Sequence, residues 1–233
     1  MPGVAVIIPA CNEAGAIARV IAAVPEEFRG RVLVVDNNST DGTPEIARKA
    51  GAHVLREERQ GYGYACLKGV EYLKGVPDKP DVVVFLDGDY ADYPEEMGDL
   101  VKPLASRDYD MVLGSRIRGQ KLPGALMPWQ EAGNRLITLL IRVLYKTSFT
   151  DLGPFRAVRF EKLAAMDMRE TGYGWTVEMQ LKAVKQGLRI LEIPVRYRPR
   201  IGKSKISGSI KASLRAGYRI VKVIFKLRAA RAQ

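Results

Sequence analysis

Four times within its first 115 residues the chain runs through a short apolar stretch rich in β-branched residues and halts at polar turn formers. The stretches are Val4-Ala5-Val6-Ile7-Ile8, Val32-Leu33-Val34-Val35, Val82-Val83-Val84-Phe85-Leu86 and Met111-Val112-Leu113. Runs this short, and this rich in valine and isoleucine, read as strands buried on both faces rather than as helices. Helical spacing follows the first at Ile17, Val20, Ile21 and Val24, and helix starts at Pro44 and Pro94 follow the second and third. Strand and helix in alternation predict a doubly wound α/β sheet, whose ligands bind beyond the carboxyl ends of the strands. With 233 residues, 47% of them hydrophobic, the chain can bury one large core. The expected organisation is a single domain over residues 1–208, with halves at 1–112 and 113–208, followed by a helical segment at 209–233.

The third strand ends most abruptly, in Asp87-Gly88-Asp89. Two carboxylates flanking a glycine suit a divalent cation that carries a phosphate, and they equally suit a plain Asp-Gly turn. Other loops add to this edge. Asp36 to Gly42 is a run of polar turn formers, and Gly61-Tyr62-Gly63 pairs an aromatic with two glycines, either to let backbone approach a phosphate or sugar or simply as a flexible loop.

The net charge of +11 hides a division. Residues 1–112 hold 12 Lys/Arg against 19 Asp/Glu, whereas residues 113–233 hold 25 against 7. So large a basic surplus in one half implies an anionic partner: nucleic acid, a phospholipid surface or a phosphorylated substrate.

In that second half, residues 119–133 read as an irregular loop and residues 134–146 as a helix with Arg135, Thr138, Arg142 and Lys146 on one side and aliphatic residues on the other. A tight loop at 150–156 precedes a strand. Residues 176–186 form a helix with Glu178 in its first turn, and residues 188–195 form a strand that Pro194 confines to a sheet edge. A basic loop follows at 196–205. Over residues 209–228, Lys211, Arg215, Arg219, Lys222 and Lys226 fall within an arc of about 80°, with Leu214, Tyr218 and Phe225 to one side of it. Such a helix either packs on the domain or lies in a membrane interface, drawn by anionic lipid. Nucleic acid is not the expected partner, because the aromatic residues of this helix lie off its basic arc.

Cys11 and Cys66 show no metal-ligand spacing and are expected to be free thiols in a reducing compartment. The first apolar run is too short for a signal peptide or a span, and no later run reaches the length of a membrane helix. The expected location is cytoplasmic.

Taken together, Pro9-Ala10-Cys11-Asn12-Glu13, Asp36 with Asp41-Gly42-Thr43, Asp87-Gly88-Asp89, Gly114-Ser115-Arg116, Gly153-Pro154-Phe155-Arg156 and Gly202-Lys203-Ser204-Lys205 occur in an order that resembles family 2 glycosyltransferases. More narrowly, the set is similar to the polyprenol-phosphate sugar synthases, here without transmembrane helices. The resemblance implies a GT-A fold, with a Rossmann-like nucleotide-binding half in a mixed sheet, and a UDP- or GDP-sugar donor. It places Pro9, Asn12, Glu13, Asp36 and Asp87 around the donor, and Asp87 and Asp89 on Mg²⁺ or Mn²⁺. It further implies inversion at the sugar carbon.

Two acceptors stay open at this point. A lipid phosphate arrives already ionised and must be gripped by cations, for which Arg116, Arg156, Arg198, Lys203 and Lys205 are the candidates. A hydroxyl must lose a proton, for which Asp151 and then Glu178 are the candidate bases. With Arg116, these two form the expected catalytic set. Two departures from the polyprenol-phosphate pattern bear on the choice. Ala91 stands where a polar metal ligand is expected, leaving that role to water or Asp92, and residues 126–131 lack the arginine and serine expected to hold a lipid phosphate. A lipid acceptor would therefore be met by peripheral helices, residues 134–146 and 209–228, at the inner membrane face, with Trp129 and Tyr218 as interfacial anchors.

Overall fold

The computed structural model describes residues 3–202 and 210–229. Seven strands form one sheet: β1 (Val4–Ala10), β2 (Val32–Asp36), β3 (His53–Arg56), β4 (Val82–Phe85), β5 (Met111–Ser115), β6 (Arg156–Arg159) and β7 (Ile190–Pro194), in the order β3-β2-β1-β4-β6-β5-β7. All neighbours are parallel except β6, which runs antiparallel between β4 and β5. The strand expected at an edge, β7, is outermost, with β3 at the opposite edge. Pro194 is tolerated because β7 pairs on one side only.

Alternate residues of each strand feed opposite faces, as a period of two requires. Ile7, Leu33, Val83 and Phe85 pack under α3 (Tyr62–Gly75), α5 (Pro128–Tyr145), α6 (Phe160–Ala165), α7 (Trp175–Lys185) and α8 (Ile210–Ala229). Val6, Ile8, Val34 and Val84 pack under α1 (Ile17–Ala23), α2 (Thr43–Lys49) and α4 (Met97–Ala105).

Helix α5 begins at Pro128, six residues before the expected start at 134, so the presumed irregular loop is shorter than the sequence predicts. Pro128 occupies the first turn, and the Gln130 side chain accepts from the Met127 backbone N–H at 2.8 Å, which caps the helix. Gly133 is carried inside the helix. The wide aliphatic arc of α5 exceeds the face it buries: Ile137 and Ile141 are buried, while Leu136, Leu139 and Val143 are 66%, 56% and 68% exposed. Helix α8 is likewise half-committed, burying Val223 and Ile224 and exposing Leu214, Tyr218 and Phe225.

The loop at 170–174 is held between two helices by glycines. A Cβ at Gly63 would lie inside contact distance of the Glu170 carbonyl oxygen, and one at Gly174 would come within 2.8 Å of Val223 on α8. Gly63→Ala is therefore expected to cost about 1–3 kcal/mol through forced backbone displacement, read as a lowered melting temperature. Gly75→Ala, with nothing near its Cβ, is the matched control, and equal melting of the two would refute the packing argument.

Candidate active site

The carboxyl ends of β1 and β4 lie side by side, and the backbone from Leu86 N–H to Ile7 O (3.3 Å) carries their pairing up to Asp87. Above them opens a cleft of about 370 Å³. Pro9, Asn12 and Glu13 line one wall, and Gly61, Tyr62 and Tyr173 the other, with Asp87, Gly88 and Asp89 between them. The first wall is fixed by the loop after β2: Asn12 N–H donates to Ser39 Oγ at 2.9 Å, Thr40 N–H to Asn12 Oδ1 at 2.7 Å, and Glu13 N–H to Thr43 Oγ1 at 2.8 Å. Asn12 holds a left-handed φ of 53° to do this, a conformation asparagine tolerates.

Of the expected donor residues, Pro9, Asn12, Glu13 and Asp87 reach the cleft. Asp36 is buried beside it and accepts from Ser39 N–H at 3.3 Å, while its neighbour Asn37 lines the cleft instead. Asn37 is spent on shape: its Oδ1 takes Gly61 N–H at 2.8 Å and its Nδ2 donates to Arg59 O at 2.8 Å.

Asp87 and Asp89 are chemically unequal. Burial first, and then the charge of Asp89, push the Asp87 carboxyl up to about 7, and its Oδ1 is buried with no hydrogen-bond partner among the described residues. Asp89 accepts Ala91 N–H on Oδ1 at 2.9 Å, and its Oδ2 lies 3.3 Å from Arg200 Nη1. Arg200 Nη2 reaches Glu13 Oε1 at 2.9 Å, so one guanidinium ties the Glu13 wall to Asp89. An orphaned carboxylate oxygen beside a carboxylate already drawing a cation fits a divalent metal. Among the described residues no group of three or more His, Cys, Asp or Glu side chains is gathered for a metal ion. Asp92 is buried nearby, and burial, then Asp87 and Asp89, push its carboxyl well above the ordinary range.

Across the cleft, several sequence expectations meet a different geometry. Asp151 accepts Arg116 N–H and Nε–H on Oδ2, both at 2.8 Å, Arg116 Nη2–H on Oδ1 at 2.7 Å, and Leu152 N–H at 2.7 Å. Burial works to raise its pKa, but the Arg116 guanidinium and these donors hold it below the usual carboxylate range. A carboxylate so engaged is a poor proton acceptor, and Arg116, its partner, stacks on Tyr197 with the guanidinium carbon 5.0 Å from the ring centre. The expectation that Arg156 grips an acceptor phosphate is corrected: its side chain is 1% exposed and donates to the Thr176 and Gly153 carbonyls inside the domain. Glu178 is likewise placed away from the chemistry, accepting Arg169 and Glu170 N–H groups and pairing with Lys182 at 3.0 Å.

Arg198 is also a fastener. Its guanidinium lies 3.4 Å from the Tyr90 ring centre and 4.1 Å from that of Tyr93, and it donates to Tyr90 O at 2.6 Å and Asp92 O at 3.1 Å. Arg198 N–H takes Ala91 O at 3.0 Å and Ile201 N–H takes Asp89 O at 2.9 Å. The carbonyls of residues 89–92 are thus all held by residues 198–201. Lys203 and Lys205 lie outside the described residues. Sequence reasoning missed Arg200 and Tyr173. Three arginines alternate along 196–200, and nothing in their spacing tells the one that reaches Asp89 from the one that staples the loop.

A mixed α/β sheet of this order, with paired aspartates at the end of its fourth strand beneath a nucleotide-sized cleft, defines a GT-A glycosyltransferase. The chain belongs to glycosyl transferase family 2, whose model matches residues 5–166. It is 36% identical over 212 residues to the low-salt glycan biosynthesis hexosyltransferase Agl6 of Haloferax volcanii, covering 88% of this chain and half of that relative's length. It is 35% identical over 227 residues to the dolichyl-phosphate hexose transferase of the same organism, covering 96% of this chain and 95% of the relative. Its fold superposes with a TM-score of 0.78, at 20% identity, on glucosyl-3-phosphoglycerate synthase from Mycobacterium tuberculosis, over 99% of this chain and 81% of that one. That neighbour was crystallised with Mn²⁺, UDP and glucosyl-3-phosphoglycerate.

Proposed function

We propose that this glycosyltransferase moves a sugar from a UDP- or GDP-sugar to a polyprenyl phosphate at a membrane surface, inverting the sugar carbon. The observation that carries the acceptor assignment is the Asp151–Arg116 pair. The carboxylate best placed by sequence to deprotonate a hydroxyl is held ionised by four donors, so the acceptor that suits this site arrives already charged. The name of the dolichyl-phosphate hexose transferase, similar over nearly the whole chain, points the same way.

Asp87 and Asp89 would hold Mg²⁺ or Mn²⁺, which when bound neutralises the departing nucleoside diphosphate. Glu13 and Asn12 form the wall on which the nucleoside rests, and Gly61 with Tyr62 at the start of α3 closes the opposite side. Arg200, one nitrogen of which is buried and unpartnered among the described residues, faces the diphosphate position and adds a second positive charge there. Arg200→Met is expected to raise the KM for the nucleotide sugar about tenfold or more, as loss of a charge-assisted hydrogen bond. An unchanged KM would remove Arg200 from the donor site.

Membrane contact is supported by the unburied apolar ridge Leu136, Leu139 and Val143 on α5, flanked by exposed Arg135, Arg142 and Lys146. No helix among the described residues is long and apolar enough to cross a membrane. Replacing the three ridge residues with glutamine is expected to lower binding to phosphatidylglycerol vesicles at least tenfold. Surface changes of this kind leave melting nearly unchanged, and undiminished sedimentation with vesicles would reject the ridge.

The activity itself is tested with Mn²⁺ and a panel of UDP- and GDP-sugars offered against undecaprenyl phosphate, undecaprenol and 3-phosphoglycerate. Transfer to undecaprenyl phosphate alone is expected. Transfer to undecaprenol or to the soluble phosphate in preference would overturn the acceptor reading.

A further inference from the structure

A second cavity, about 950 Å³, runs along α8 and carries an assignment of its own. Its walls are Tyr173 and Glu170 on the 170–174 loop and Leu214, Ala216, Tyr218 and Val223 on α8. Tyr173 lines this groove and the donor cleft alike, so the two spaces meet at one side chain. The groove is two-sided in character. Leu214 and Tyr218 are 68% and 72% exposed, an unusual amount of apolar surface to leave open beside a catalytic cleft, while Arg215, Lys222 and Lys226 run along the same helix face. Arg219 sits among them but is committed, donating to Glu170 and, at 2.7 Å, to Thr171 Oγ1. Helix α8 contains no acidic residue to oppose an anion.

The geometry points to this groove as the track for the isoprenoid chain of the lipid-phosphate acceptor, with its phosphate end directed past Tyr173 toward Asp89 and Arg200. The inference rests on the acceptor reading above and goes beyond it by placing the chain. Three features select this occupant. An apolar wall that is continuous with the reaction cleft suits a ligand whose reactive end must enter while its tail stays outside. A row of cations beside that wall suits a ligand that is anionic at one end and carries nothing else to pair. The glycine packing supplies the third: Gly172 has Arg219 within 2.6 Å of its would-be Cβ, and Gly174 has Val223 within 2.8 Å, so loop and helix form one firm wall, not two that drift apart. A bilayer phospholipid shares the chemistry of an anionic head and apolar tail, and the experiment separates the two.

The test uses the full-length protein and a polyprenyl phosphate bearing a diazirine in its third isoprene unit, photolysed in detergent and mapped by peptide mass spectrometry. Label is expected on residues 170–174 and 214–223. It should be competed by unlabelled undecaprenyl phosphate and at least tenfold less well by phosphatidylglycerol. Leu214→Glu, which puts a carboxylate on the exposed groove wall at a position outside the donor cleft, should reduce labelling about tenfold while UDP or GDP still protects the protein against heat as in the wild type. Saturable label confined to α5 would overturn the track and leave the acceptor reading standing. Equal competition by phosphatidylglycerol would make the groove a general lipid site and overturn the assignment. Absence of any saturable label would remove the lipid-phosphate acceptor and the track together.

Discussion

Asp87→Asn is expected to make the metal-free protein more stable at pH 8 and to abolish most of its activity. The sign follows from the direction of the shift. A carboxyl ordinarily near 3.8 is raised to about 7 in the folded chain, by burial and then by Asp89. A raised pKa means that the folded state prefers the protonated form, so its contribution to stability is full below the unfolded value and is lost as pH rises through about 7. The difference is worth on the order of a few kcal/mol at pH 8, and asparagine, which never ionises, escapes it. Thermal unfolding at pH 5 and pH 8 should therefore show wild type and variant diverging as pH rises. Adding MnCl₂ at pH 8 should reverse their order, since a cation stabilises the wild type by mass action and has lost its ligand in the variant. Turnover should fall by about 10² to 10³ or more, the scale of losing charge stabilisation at a leaving group. Parallel melting curves with an identical response to MnCl₂ would remove Asp87 from the metal site. Natural proteins keep such costs where function requires them.

Asp151→Asn should behave in the opposite way, failing by stability rather than by chemistry. The substitution leaves the Arg116 guanidinium, only slightly exposed, facing a neutral amide, and breaking a buried pair from one side costs about 3–5 kcal/mol. Replacing both partners, Arg116→Met with Asp151→Leu, should recover a good part of that loss, because no charge is then stranded. Because the Asp151 pKa is held low, its contribution is present above the ordinary carboxylate range and disappears as pH falls through the lower folded value. Urea unfolding of the two single variants and the double variant at pH 7 and on acidification to about pH 2, well below the ordinary carboxylate value, measures this directly. A single variant that unfolds like wild type yet loses 10²-fold or more in kcat, with a displaced pH profile, would restore Asp151 as the general base.

The strands were legible because their residues obey one demand, burial on both faces, that local composition can express. Val82 to Phe85 admits no other reading, and Pro194 announces an edge. The residues that line the cleft were legible for a related reason: Pro9, Asn12, Glu13 and Asp87 sit at or just beyond the carboxyl ends of β1 and β4, where chain direction leaves little choice of cleft. Acceptor-side residues were not. Arg156 opens β6 between two buried neighbours, and nothing local says whether its guanidinium turns to the cleft or to the Thr176 carbonyl. Glu178 stands in the first turn of a helix, as expected, but closes the turn at 169–170 instead of facing substrate. Arg198 and Arg200 differ by two positions and have the same charge; only the aromatic rings of Tyr90 and Tyr93, more than a hundred residues earlier, decide which is stacked. The 134–146 helix was expected to meet a lipid, but which of its aliphatic residues stay uncovered was hidden for another reason. Hydrophobic periodicity reports which residues are apolar, not which of them the domain has room to cover.

The clasp between residues 89–92 and 198–201 carries a thermodynamic consequence for the order of events. The carbonyls of four consecutive residues are tied to 198–201, so a cation-bound nucleotide sugar that drew on Asp89 would also draw on Ile201. An acceptor anion bound against this clasp would then feel the donor's presence in its own affinity. By reciprocity the donor must feel the acceptor to the same degree, so neither substrate's dissociation constant is a property of its own pocket alone.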